Sequence, residues 1–435
     1  AFHLARSGRP GPVLVDITKD AFTGLVGDGP LQLAMPGYRP PERPAPDAVR
    51  DAVELMLSAR RPVLYVGGGT VAAGAQQELR SLAELTGMPV VTTLMARGVF
   101  PDSHPQHMGM PGMHGSVSGV ATLQKADLIV SLGARFDDRV TGAKHTFAPG
   151  ATIVHADIDP AEIGKNFPTA VGLVGDARAT IGQLVTEWTR RTVEGGAAPD
   201  YEAWIARCRG WKSRYPLGYE APASGELAPQ YVIERIGAVV GPDAYYASGV
   251  GQHQMWASHY LAHESPRHWI NSGGLGTMGY AVPAAMGAKV ALPDATVWAI
   301  DGDGCFQMTN QELATCAVEG IPIKVAVINN AALGMVKQWQ SLFYSERHSA
   351  SLLPSMQIPD FTTLAHAYGC AGLRCERPED VDGTIEAAME IDDRPVVVDF
   401  RVSKDAMVWP MVPAGTSNDA IQHARDLTPD FGSDE

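Results

Sequence analysis

The chain has 435 residues, more than one ordinary hydrophobic core accommodates, so two or three domains are expected. Apolar content of 45% with 19% charged residues reads as a globular protein, and a formal net charge of -14 without a long basic run argues against nucleic acid or an anionic membrane as partner. No apolar run reaches the roughly 20 residues of a membrane span. The five cysteines show no CxxC spacing and read as reduced thiols rather than disulfides or a zinc site.

Taken in order, "AFHLARSGRPGPVLVDITKD" reads as the end of a helix, a Gly/Pro turn and a buried strand over Val13 to Ile17. Residues 1–35 are therefore expected to be the C-terminal remnant of a domain that starts earlier. The proline-rich residues 36–46 form a linker. A helix near Asp47–Ser58, a strand at "PVLYVGGG", a helix through Leu85 and a strand at "PVVTT" follow. "ADLIVSLGARFDD" and "ATIVHADIDP" each pair an apolar strand with a polar tip. This alternation predicts a doubly wound parallel sheet over 47–190. Residues 191–228, with "EGGAAPD" and a Pro/Gly/Tyr-rich stretch, read as a second connection.

From Pro229 the alternation resumes and predicts a second such domain over 229–410, before a tail at 411–435. Its helices are "PQYVIERIGAVV", "GYAVPAAMGAKVAL", "TNQELATCAVEG" and "FTTLAHAYG"; its strands are "AYYASG", "TVWAIDGDG", "IKVAVINN" and "PVVVDF". The fold class is thus α/β: two doubly wound parallel-sheet domains after the tail of a third.

Open parallel sheets bind ligands beyond the carboxyl ends of their strands. "WAIDGDG" sets Asp303 just past one strand, and "VAVINN" sets Asn330 past the next. A right-handed crossover between them places those strands side by side. Both side chains are hard oxygen donors suited to Mg²⁺ or Ca²⁺, and the flanking glycines let a phosphate approach backbone N–H groups. A lone Gly-Asp-Gly is usually a turn and a lone Asn-Asn a helix cap. The pair, each after a buried strand, points instead to a Mg²⁺–diphosphate clamp.

Gly302-Asp303-Gly304, then residues 305–328, then Asn329-Asn330 resembles the signature of thiamine diphosphate enzymes. "NQELATCAVEGIPIKVAVINNAALGMVKQWQSLFY" resembles more narrowly the catalytic large subunit of acetohydroxyacid synthase (acetolactate synthase). So do "SGRPGPVLVDI", "GMHGSVSGV", "LGARFDDRVTG", "HADIDPAEIGKN", "GVGQHQMWA" and "SGGLGTMGYAVPAA", which together cover nearly all of residues 1–415.

This resemblance implies that Asp303, Asn330 and the backbone carbonyl of Ala332 hold Mg²⁺. It implies that Val250, Gln252, His253, Gly276, Met278, Asp303, Gly304, Cys305, Asn330, Gly334 and Met335 surround thiamine diphosphate. Met278 would keep the cofactor bent. Cys305 stands where the family commonly has serine, a stronger hydrogen-bond donor. The central domain would bind FAD through Arg9, Gly67, Gly68, His114, Gly115, Gly133, Arg135, Asp138, Asp157, Ile158 and Asp176. "VGGGT" lacks the dinucleotide spacing G-x-G-x-x-G, so FAD rests on the resemblance. Arg139, Met335, Val336 and Trp339 would form the substrate pocket, with Arg139 pairing a keto-acid carboxylate and Trp339 favouring 2-ketobutyrate.

The implied activity is decarboxylation of pyruvate on thiamine diphosphate and condensation of the hydroxyethyl unit with pyruvate or 2-ketobutyrate. The products are 2-acetolactate and 2-aceto-2-hydroxybutyrate, the first common step of valine, leucine and isoleucine biosynthesis. The family's activating glutamate is expected before residue 1, so residues 1–435 alone are expected to be nearly inactive. A cytoplasmic homodimer or tetramer with a separate small regulatory subunit is expected. The alternatives are a sister carboligase or oxidase using the same cofactor, and a non-catalytic nucleotide-binding protein; a Mg²⁺-dependent phosphatase lacks its second carboxylate set.

Overall fold

The computed structural model describes residues 1–30, 35–195, 198–353 and 358–432. One sheet contains β1 (Pro62–Val66), β2 (Val90–Thr92), β3 (Leu128–Leu132), β4 (Thr152–Asp157) and β5 (Val171–Val174), in the order β2-β1-β3-β4-β5. The other contains β6 (Tyr245–Ser248), β7 (Trp269–Asn271), β8 (Val297–Gly302), β9 (Lys324–Asn329), β10 (Ala371–Cys375) and β11 (Val396–Arg401), ordered β10-β11-β9-β8-β6-β7. Every pairing in both sheets is parallel.

The strand sequences explain this layout. "PVLYV", "LIVSL" and "KVAVIN" are buried along their whole length. Continuous burial without alternation requires cover on both faces, as parallel sheets have. Helices supply it. Pro46–Ser58 starts with proline in its first turn and buries Val49, Ala52, Val53 and Met56. Gln76–Thr86 buries Leu79, Leu82, Ala83 and Thr86, and stops at Gly87, whose φ of 73° suits glycine. Each sheet thus carries a hydrophobic cluster on either side.

Both sheets have a switch point. After β1 the chain crosses outward to β2, then returns to build β3, β4 and β5 on the other side. After β6 it goes outward to β7, and then β8 and β9 form on the opposite flank. The strand ends β1/β3 and β6/β8 are therefore the crevices where such sheets accept ligands.

Three stretches differ from expectation. Val13 to Ile17 form no strand, and Leu14 is 93% exposed. Among the described residues no neighbouring strand pairs with this segment, and a lone strand leaves its backbone groups unmade. The presumed connection 191–228 contains a helix, Glu202–Arg214, that buries Trp204, Ile205, Cys208 and Trp211. Trp204 Nε1 donates to the Pro62 carbonyl at 2.9 Å, which docks this helix at the start of β1. Within "EGGAAPD", residues 196–197 lie outside the described residues. The tail also folds back: Met411, Val412, Ile421 and Phe431 are buried, and Val412 N–H donates to the Met113 carbonyl at 2.7 Å.

A polar strap joins the two sheets' domains. Arg97 donates to both oxygens of Asp102, at 2.8 and 2.7 Å, and to the Ser258 carbonyl at 3.1 Å. Asp102 accepts from His263 N–H at 3.1 Å, and Ser103 Oγ donates to Glu264 at 2.6 Å. Among the described residues no helix is long and apolar enough to cross a membrane.

Candidate functional site

The ends of β6, β8 and β9 enclose a cavity of about 500 Å³ including its open mouth. Gly302 on β8 pairs with Ile328 on β9, so Asp303 and Asn330 emerge from adjacent strands. Both are buried, at 1% and 7% exposure, and both line the cavity. Asp303 Oδ2 has no hydrogen-bond partner. Burial pushes its carboxyl up to about 7, against the lowering effect of nearby backbone N–H groups. A carboxylate held dry and incompletely paired is suited to a cation.

The two asparagines divide the work. Asn329 points away and donates to Asp399 Oδ1 at 2.8 Å, tying β9 to β11. Asn330 Oδ1 accepts from Ala332 N–H at 3.1 Å, and its Nδ2 donates to Gln252 Oε1 at 3.2 Å. Gln252 Nε2 donates in turn to Gln338 Oε1 at 2.9 Å and to the Ala406 carbonyl at 3.1 Å. Gln338 is locked by the Val408 backbone. Asn330 is thus oriented by a chain of buried amides.

Glycines shape the wall. A Cβ at Gly334 would lie 2.0 Å from Gln252 Oε1 and 2.6 Å from Asn330 Nδ2; one at Gly304 would lie 2.5 Å from Leu333 Cδ2. A Cβ at Gly302 would meet His253 Nδ1 at 2.8 Å. Cys305 Sγ accepts from Gly279 N–H at 2.9 Å, and burial pushes its thiol up so that it stays protonated. Oxygen donors, backbone close to the cavity, and an apolar side formed by Met278, Met335 and Val336 fit a diphosphate-bearing cofactor with a hard divalent ion.

Of the residues expected around thiamine diphosphate, Val250, Gln252, His253, Met278, Asp303, Gly304, Cys305, Asn330, Gly334 and Met335 line this cavity, as does Ala332. Gly276 lies outside it, on an exposed turn with φ 78°. Val336 lines the mouth, whereas Trp339 stands back, half-buried against Phe343 with ring centroids 4.8 Å apart. Arg139 is exposed, outside the cavity. Gly302, named in the Gly-Asp-Gly signature, also lines it. So do Gly251, Trp256, Ile328 and Leu333, which were not singled out from the sequence.

Seven of the eleven residues expected around FAD lie at the carboxyl edge of the first sheet, and Arg9, His114, Gly115 and Asp138 lie elsewhere. Gly67 and Gly68 follow β1, Gly133 and Arg135 follow β3, Asp157 ends β4 with Ile158 next, and Asp176 follows β5. Several have local duties. A Cβ at Gly67 would lie 2.3 Å from the Gly133 carbonyl, and one at Gly115 would lie 2.4 Å from the Met110 carbonyl. Asp157 accepts from Asp159 N–H at 2.8 Å, and Asp176 caps the helix Ala177–Gly195 through Ala179 N–H at 3.0 Å. Arg9 pairs with Glu162 at 2.7 Å and Asp159 at 3.2 Å; Arg135 pairs with Asp137, and Asp138 is exposed. His114 is different: its Nε2 is buried without a partner, at the domain junction. That orphaned ring nitrogen, and glycine turns at the β1/β3 switch point, fit an extended dinucleotide. A smaller cavity of about 170 Å³ beside β4, lined by Phe136, His155, Glu162 and neighbours, contains none of the expected FAD residues.

Comparison with known proteins agrees with this division. The family described as "Thiamine pyrophosphate enzyme, C-terminal TPP binding domain" matches residues 249–400, and "Thiamine pyrophosphate enzyme, central domain" matches residues 49–184. The chain is 59% identical over 434 residues to an acetolactate synthase of Mycobacterium bovis, covering 99% of this chain and 70% of that protein. It is 56% identical over 438 residues to the acetolactate synthase large subunit of Corynebacterium glutamicum, covering all of this chain and 70% of that one. Identity to the isozyme 3 large subunit of Escherichia coli is 41% over 426 residues, covering 97% and 74%.

Proposed function

The chain belongs to the acetolactate synthase large subunits, within the thiamine diphosphate enzymes, and from that premise we propose that it decarboxylates pyruvate and joins the two-carbon remainder to pyruvate or 2-ketobutyrate. The products are 2-acetolactate and 2-aceto-2-hydroxybutyrate, at the entry to branched-chain amino acid synthesis. Thiamine diphosphate, when bound, supplies the electron sink that lets a 2-keto acid lose CO₂ and its remainder act as a nucleophile.

The chain's own residues bind, orient and keep water out. Asp303, Asn330 and the Ala332 carbonyl would hold Mg²⁺, whose charge would offset that of the diphosphate. His253 and the backbone around Gly304 and Gly334 would hold the phosphates, with Cys305 a weak S–H donor beside them and Gln252 fixing Asn330 from behind. Met278 props the cofactor from its apolar side. Met335 and Val336 wall the mouth and exclude water, whose proton would divert the two-carbon unit to acetaldehyde. Arg139 is proposed to pair with a keto-acid carboxylate and Trp339 to narrow the pocket in favour of 2-ketobutyrate. FAD is assigned to the carboxyl edge of the first sheet, without net redox chemistry. A homodimer with a separate small subunit is proposed because relatives are named large subunits.

One observation carries this reading: Asp303 and Asn330 leave neighbouring strands into one buried cavity. The test is product identification by mass spectrometry on the whole enzyme, given thiamine diphosphate, Mg²⁺, FAD, pyruvate and 2-ketobutyrate. Acetohydroxybutyrate that disappears in Asp303→Ala is expected. Acetaldehyde or acetyl phosphate instead would move the chain to a sister activity.

A further inference from the structure

Behind the cavity wall lies a second group of donors that the Mg²⁺ assignment does not use. Asp301, on β8, is fully buried, and neither of its carboxylate oxygens has a hydrogen-bond partner. His253 Nε2, also buried and without a hydrogen-bond partner, lies 3.4 Å from Asp301 Oδ1. Cys305 Sγ completes the group: one donor atom from each residue lies within 4.8 Å of the others. The gap between carboxylate and thiol exists because residue 249 is glycine. A Cβ there would lie 2.0 Å from Asp301 Oδ1 and 2.5 Å from Cys305 Sγ.

A buried carboxylate whose near partners are one imidazole at 3.4 Å and one thiol is incompletely satisfied, and a cation among the three would complete it. Imidazole nitrogen, carboxylate oxygen and thiolate sulfur form a borderline-soft set, suited to Zn²⁺ rather than Mg²⁺. A tetrahedral ion with bonds of about 2.0–2.3 Å holds adjacent donors about 3.3–3.7 Å apart. The observed 3.4 Å between His253 and Asp301 already meets that spacing. The set also balances charge: Zn²⁺ binds Cys305 as thiolate, its proton leaving to solvent, Asp301 as carboxylate and His253 as neutral imidazole through Nε2. The buried site then carries no net charge. Three protein donors leave the fourth tetrahedral position for a water.

We propose that His253, Asp301 and Cys305 form a second metal site, of the Zn²⁺ class, whose loading withdraws His253 and Cys305 from the diphosphate and so opposes thiamine diphosphate binding. The metal site stands on the cluster itself. The antagonism rests on reading the cavity as the diphosphate site.

Co²⁺ is the probe, as a coloured stand-in for Zn²⁺, on the whole enzyme freed of cofactor. One equivalent is expected to give a thiolate-to-cobalt charge-transfer band that Zn²⁺ removes. Cys305→Ser should lose the band, Cys316→Ser should keep it, and Gly249→Ala, which retains all three donors, should weaken binding at least tenfold. X-ray absorption on the unmutated Zn²⁺ form should find one sulfur at about 2.3 Å with nitrogen and oxygen at about 2.0 Å. This needs no variant. A shell without sulfur, or a band that survives Cys305→Ser, overturns the site. Thiamine diphosphate with Mg²⁺ should discharge the band in proportion to its binding. A band that persists while equilibrium dialysis shows the cofactor bound overturns the antagonism. A band in an enzyme that binds no thiamine diphosphate supports the metal site and defeats the diphosphate reading.

Discussion

Asp303 meets two opposed demands: its place on the strand end buries it, and its proposed role requires charge. Without an ion, burial has the upper hand and its carboxyl sits at about 7. Asp303→Ala removes a ligand from a site with few. Mg²⁺ affinity is expected to fall at least about 100-fold, read by Mg²⁺ titration of cofactor binding, with acetolactate formation lost alongside. Gly334 gives an independent check. Its missing Cβ is what leaves room for Gln252 Oε1, 2.0 Å from where that atom would stand. Gly334→Ala should displace Gln252 and Asn330 at a cost of about 1–3 kcal/mol, seen as weaker thiamine diphosphate binding by calorimetry with secondary structure unchanged. If affinity were unaltered, Asn330 would not depend on the amide chain behind it. Both glycines of Gly-Asp-Gly and the paired asparagines stand out in the sequence. Gln252 was reached only through the family resemblance, as a residue beside the cofactor, and Gln338 was not reached, because nothing local marks a glutamine as a positioning group.

The helix Gln252–Tyr260 connects cofactor and domain junction. Its first residues, Gln252 and His253, line the cavity, while Ser258 near its far end accepts from Arg97 of the other domain. Arg97 is 7% exposed and holds Asp102 through two hydrogen bonds. Arg97→Met would leave Asp102 without its guanidinium and is expected to cost about 3–5 kcal/mol, measured by urea unfolding. Because the strap anchors this helix, cofactor affinity should fall too. Arg50→Met, on an exposed helix face, should change stability by less than about 0.5 kcal/mol. If both variants behaved alike, the strap would be no more than a surface ion pair.

Across the whole molecule, acid should act first at the junction between domains. His114 and His263 lie there buried and His259 half-buried, and desolvation pushes the three down to about 4, 3 and 4 respectively. In the unfolded chain each protonates near 6.5. Above that pH both states are neutral and the contribution of these groups to stability is complete. As pH falls below about 6.5 the unfolded state takes up protons that the folded state refuses, and stability drops until the folded values are reached. At pH 5 three protons correspond to roughly 4 kcal/mol per pH unit. Melting temperature against pH should therefore decline steeply from about 6.5 towards 4. Replacing His263 by Gln should flatten the slope, and an unchanged slope would show that other groups govern the acid limit.

What the sequence determined by itself was local and periodic. Continuous apolar runs such as "KVAVIN" and "VVVDF" mark buried parallel strands, and the polar residues just past them mark the ligand edge, because in such a sheet both follow from chain direction. Asp303 and Asn330 were legible for that reason. Tertiary structure decided what depends on distant partners. Val13 to Ile17 has a strand's composition, yet a strand exists only with a neighbour. The helix Glu202–Arg214 lies in a stretch whose prolines and glycines read as a connection, and docking on β1 gives its tryptophans a place. His253, Asp301 and Cys305 show no metal spacing along the chain. They meet because β6 and β8 lie side by side, so the ends of two strands bring together residues that no linear pattern connects.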